Sequence, residues 1–138
     1  MRDIAYEQAL MRHQQRMLRI LNEYSEEDTQ TWTERDFLAI QRALQIYIES
    51  FIGLSRYFVQ QKYGLSLSQS REALDELQSR GALSVEHYQE ALKIIGFRNV
   101  LVHDYLDIQE GIVQSVIKYK KYAVIEVLTA AWRDALAD

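Results

Sequence analysis

The chain has no cysteine. Disulfide staples and thiolate metal sites are therefore excluded, and the redox compartment stays undecided. It has no proline and only five glycines in 138 residues. With so few chain breakers, and with Leu, Ala, Gln, Glu and Arg plentiful, long helices are favoured. No apolar run approaches the ~20 residues that a membrane span requires. No secretory signal is visible either, since Met1-Arg2-Asp3 leads into polar, amphipathic sequence. A soluble cytoplasmic protein without membrane association is the expectation. Positive charge is not in excess: 16 Lys and Arg stand against 20 Asp and Glu, a net charge of −4. Generic attraction to nucleic acid gains nothing from that total, and only a local basic face remains open.

Hydrophobic residues make up 48% of the chain, which fits a folded core rather than a disordered segment. The length suits one domain, residues 1–138. Residues 3–24 read as a first helix, with Leu10, Met11, Met17, Leu18 and Leu21 at helical spacing. That stripe is thin and predicts a helix on the outside. Residues 25–32 form a short acidic loop. Thr33 looks like an N-cap, with Asp36 three residues on as a weak capping box.

The second helix, residues 34–63, carries Phe37, Leu44, Ile48, Phe51, Ser55 and Phe58 on one stripe, widened by Leu38, Ile52 and Val59. It is the expected spine of a bundle, with Gly53 marking a close helix crossing and Gly64 ending it. A third helix spans 70–79. Ser84 caps a fourth, which runs toward a break at Leu106-Asp107. A fifth spans 109–135, with Val113, Val116, Ile117, Val124, Val127, Leu128 and Ala131 facing the core. Short connections make neighbours antiparallel. The fold class is all-α, an up-down bundle of about five helices. His13 and His87 are expected on the surface without a role.

The chemistry concentrates in Gly96-Phe97-Arg98-Asn99-Val100-Leu101-Val102-His103-Asp104-Tyr105. Arg98 and His103 are five residues apart, about 140° around a regular helix, so the helix must end or bend near His103 for both to reach one group. Asn99 and His103 share a face. His takes and gives protons near neutrality, and Arg offers a fixed charge and a fork of donors that matches phosphate. The pair suits phosphodiester chemistry. A 2′-hydroxyl would be the nucleophile, His103 would manage its proton, and Arg98 would stabilise charge on the phosphoryl oxygens. One His cannot serve as base and acid in the same step, which a symmetric dimer would resolve. The bland reading is an Arg98 paired with a surface carboxylate and a His103 that caps helix carbonyls. Asp104 and Asp107 without a third ligand are a weak metal signal, and neither a metal nor a cofactor is expected.

The segment Phe97 to Tyr105 resembles the signature of the HepT-like toxins of the HEPN superfamily, which is Arg, four residues, His, any residue, Tyr. Asp36-Phe37-Leu38-Ala39-Ile40-Gln41-Arg42-Ala43-Leu44 and Ile48-Glu49 resemble the family's second helix. The resemblance covers roughly residues 34–128 and implies a helical homodimer of the HepT/MntA type. It implies a metal-independent endoribonuclease with Arg98 and His103 catalytic in a cleft at the dimer interface, lined by Asn99 and Asp104. It also implies a nucleotidyltransferase (MntA-type) antitoxin that silences the toxin by adding AMP to Tyr105. Outside the motif, Lys118, Lys120 and Lys121 are candidates for contact with RNA or with the partner, the ordinary alternative being a solvated helix face. The rival reading of the whole chain is a non-catalytic helical module that binds a nucleotidyltransferase or a nucleotide. A third is a helical dimer whose polar motif specifies the interface.

Overall fold

The computed structural model describes residues 2–103 and 109–137, with His103 described in its backbone only. Asp104, Tyr105 and the break expected at Leu106-Asp107 lie outside the described residues. Among the described residues the chain is all-helical. Six helices follow in order: α1 Ile4–Ser25, α2 Glu34–Tyr63, α3 Glu72–Ser79, α4 Val85–His103, α5 Glu110–Lys118 and α6 Ala123–Ala137.

The helix ends follow from local chemistry. The Thr33 hydroxyl accepts from the Asp36 N–H, and the Asp36 carboxylate accepts from the Thr33 N–H, so the capping box is complete. Gly64 ends α2 at φ 73°, a left-handed conformation that favours glycine. The Ser84 hydroxyl accepts from the His87 N–H at the start of α4. Three of the expected punctuation marks therefore stand where the residue types put them.

α2 is the spine: it packs against each of the other five helices. Its apolar stripe places Ile40, Leu44, Ile48, Phe51 and Phe58 in the interior. Trp132 of α6 lies between Phe51 and Phe58, stacked on both rings at 5.5 and 5.6 Å between centroids. α1 covers the other side of α2. A side chain at Gly53 would begin 3.3 Å from the Tyr6 hydroxyl, so what Gly53 makes room for is the end of the Tyr6 side chain of α1 and not a neighbouring helix backbone.

The expected fifth helix is two helices. Lys120 takes φ 48°, the Lys121 N–H bonds to the Val116 carbonyl, and the Lys120 N–H bonds to the Ile117 carbonyl. This is a Schellman end built without glycine. Tyr122 holds the turn in place: it is 1% exposed, and its hydroxyl donates to Asn22 of α1 at 2.8 Å. Lys120 and Lys121 therefore stand in a turn rather than on a helix, with Lys118 the last residue of α5. The split also turns Val127 and Ala131 outward, and Leu38 of α2 is 62% exposed instead of widening the core.

α1 buries two polar side chains that its thin stripe did not announce. Gln14 donates to Thr129 at 3.4 Å. Glu7, 7% exposed, accepts from Arg2 at 2.7 and 3.1 Å and from the Tyr57 hydroxyl. The Arg2 guanidinium, helped by Tyr57, holds the Glu7 carboxyl below the usual carboxylate range. A lowered native pKa stabilises above the unfolded-state value and is lost as pH falls through the native one. Stability is therefore expected to fall as the medium is acidified below about pH 4. Glu7→Ala is expected to cost about 1–3 kcal/mol at neutral pH and to flatten that acid limb. Urea midpoints across pH check both; a variant with the parent's acid limb would refute the assignment.

Candidate functional site

α4 carries the motif, and its inner face fixes where the motif points. Ala91, Ile94, Ile95 and Leu101 are buried. Ile95 and Leu101 lie three residues before and after Arg98, one helical turn each way, and so draw Arg98 toward the interior side of α4. Tyr88 ties the same helix to α3 by donating to Asp75 and accepting from Arg71 at 3.4 Å.

The Arg98 side chain is only 18% exposed. Its Nη1 lies 3.9 Å from Glu49 Oε1 on α2, a long contact to a carboxylate that is itself 50% exposed. Its Nε is buried and has no hydrogen-bond partner among the described residues. Arg98 is thus half-buried, and its inner Nε, unpaired among the described residues, calls for an explanation; a ligand that accepts hydrogen bonds is one.

Asn99 is exposed on the next face of α4. His103 closes α4, five residues beyond Arg98, so the two approach one group only around the helix end. The structure thus brings Arg98 and Asn99 to one helix and places the His103 backbone on its last turn. Asp104 and Tyr105 fall outside the described residues. Lys118, Lys120 and Lys121 lie at the α5–α6 turn, where Lys120 reaches Glu26 at 3.9 Å and Lys121 shares a cleft with Ile94 and Phe97 of α4. Among the described residues no three His, Asp or Glu side chains are grouped to hold a metal ion.

Nothing in the sequence alone marks Glu49 as a site residue. It continues a polar stripe, Arg42, Gln45 and Glu49, spaced by three and four residues on the solvent side of α2. That pattern is also what any solvated helix face shows, so only the contact with Arg98 distinguishes it.

The family model described as Ribonuclease HepT-like matches residues 10–130. No curated protein matches the chain. Among solved structures, the cytosolic protein of unknown function YutE from Bacillus subtilis is similar over 97% of this chain and 90% of its own, with a TM-score of 0.78 and 18% identity. A toxin–antitoxin structure with AMP-PNP is similar over 96% and 99%, with a TM-score of 0.71 and 19% identity. The tri-AMPylated Shewanella oneidensis HEPN toxin in complex with MNT antitoxin is similar over 94% and 99%, with a TM-score of 0.68 and 21% identity. At such identities the likeness is one of fold.

Proposed function

Because the chain belongs to the Ribonuclease HepT-like family, we propose that it is the toxin of a toxin–antitoxin pair, an endoribonuclease whose site is built on Arg98 and His103. The observation that carries this reading is the half-buried Arg98 side chain, whose Nε is buried and unbonded among the described residues. An RNA phosphate supplies the acceptors it lacks. The Glu49 contact at 3.9 Å is long enough to yield to a phosphate, and it holds the guanidinium near α2 meanwhile.

In the proposed step the RNA 2′-oxygen attacks the adjacent phosphorus. His103 removes the 2′-proton, the new P–O2′ bond forms, and the P–O5′ bond breaks. A second copy of the motif, brought by a homodimer, protonates the leaving 5′-oxygen. The products are a 2′,3′-cyclic phosphate and a 5′-hydroxyl. Arg98 offsets the charge that grows on the non-bridging oxygens. No metal enters the step. Asn99, exposed one residue from Arg98, would line the strand's path, and Asp104, next to His103 in the sequence, is assigned the same role by the family resemblance.

The partner in this reading is a nucleotidyltransferase antitoxin of the MntA type. AMP transferred to the Tyr105 hydroxyl would set a phosphodiester two residues from His103 and compete with the RNA phosphate for Arg98. The test is incubation of the purified chain with a broad RNA pool in the presence of a chelator, after intact mass has shown the protein unmodified. Cleavage leaving cyclic-phosphate ends is expected. Folded, unmodified protein that leaves every RNA intact refutes the ribonuclease and favours a nucleotidyltransferase-binding module.

A further inference from the structure

We propose that α2 carries an RNA-backbone track, in which Arg42 and then Arg35 hold phosphates of the strand that passes Arg98. The inference rests on the ribonuclease reading above and names the path of its substrate.

Glu49 of α2 meets Arg98 of α4. Farther along, Lys62 and Tyr63 of α2 share one cleft with His87 of α4. Residue numbers rise on one helix as they fall on the other, so α2 and α4 run antiparallel. Moving from Arg98 toward His103 on α4 is therefore moving from Glu49 back toward Arg42 on α2.

Arg42, Leu38 and Arg35 lie seven, eleven and fourteen residues before Glu49. At 100° per residue all three fall within about 40° of the Glu49 direction. They make one straight stripe, about 10 Å from Glu49 to Arg42 and about 21 Å to Arg35. All are open to solvent: both arginines are exposed, and Leu38 between them is 62% exposed. Among the described residues neither arginine lies within salt-bridge distance of a carboxylate. A pair of guanidinium groups flanking an apolar side chain matches a single strand, with phosphates on the charges and a base against Leu38. On a chain of net charge −4 this local arrangement supplies an attraction that the total does not.

A second exposed arginine stripe gives the internal control. Arg12, Arg16 and Arg19 share a face of α1, and among the described residues α1 has no extensive contact with α4. If bulk charge alone mattered, the two stripes would be equivalent.

The experiment measures cleavage of an RNA pool by the parent, by Arg42→Ala, by the Arg35→Ala/Arg42→Ala pair, by Arg42→Lys, and by the Arg12→Ala/Arg16→Ala control. Binding of a fluorescent 2′-O-methyl oligonucleotide, which has no free 2′-hydroxyl to react, is followed alongside. Arg42→Ala is expected to raise KM about tenfold with kcat within about twofold of the parent. Between about 50 and 200 mM salt, each arginine removed should lower the slope of log affinity against log salt by about 0.7. Arg42→Lys should keep the slope, and the α1 control should behave as the parent.

A double variant with the parent's KM and salt slope overturns the track and leaves the ribonuclease reading standing; a stripe that instead docks a protein partner would give this result. Equal losses in the α1 control overturn it too, as bulk charge. If the parent binds the oligonucleotide but cleaves nothing, and only the α2 variants lose binding, the track stands and the ribonuclease falls. A parent that neither cleaves nor binds overturns both.

Discussion

Arg98→Ala is expected to lower the proposed RNA cleavage by a factor of about 10²–10³, the usual cost of removing one donor from a developing oxyanion. His103→Ala is expected to cost about 10²–10⁴, the range for a lost general acid–base group. Both losses should appear mainly in kcat, since each group acts on charge or protons that move in the transition state. Arg98→Lys keeps the charge but loses the planar fork, so it should restore only part of the rate. Arg98 lies between Ile95 and Leu101 on the inner side of α4, so thermal melts must accompany the kinetics. Parent-level cleavage from folded Arg98→Ala and His103→Ala proteins would remove both residues from the site.

The second large effect is on stability. Trp132 is 4% exposed, and its ring is parallel within 9° and 11° to those of Phe51 and Phe58. Trp132→Ala is expected to destabilise by about 3–5 kcal/mol, through lost apolar contact and a cavity that α2 and α6 cannot close. Trp132→Phe keeps a ring between the two phenylalanines and should recover more than half of that loss. The check is the urea midpoint at constant slope. A loss under about 1 kcal/mol would mean that the site collapses freely and that the stack is not a fixed part of the core.

Much of this architecture was legible in residue order. The α2 stripe, the Thr33–Asp36 box, Gly64 and Ser84 each act through local chemistry that the neighbouring residues specify, so the structure agrees with them. The α5–α6 break was not legible. A left-handed Lys120 has no residue-type signal, because lysine is uncommon there and the turn is held by a distant partner, Tyr122 on Asn22. The same holds for Glu7 and Gln14: a polar residue in an amphipathic pattern reads as solvent-facing until Arg2, Tyr57 or Thr129 is seen to satisfy it. Within the motif, periodicity gave the angle between Arg98 and His103. It did not give the burial of Arg98, which depends on Ile95 and Leu101 facing inward, or its neighbour Glu49. Pairwise facts between helices are invisible to a one-helix pattern.

The position of α2 also bears on how the chain is made. Its apolar stripe, Ile40 to Val59, is synthesised before α3 to α6, so of the six helices described α1 alone can cover it at that point. The ring that closes the opposite side, Trp132, follows some 70 residues later, about 4–15 s at ordinary ribosomal speed. During that interval Phe51 and Phe58 lack their final partner, and the surface that orders α4 is incomplete. Until α6 is made, a nascent chain therefore exposes apolar surface of the kind that makes folding intermediates prone to aggregate.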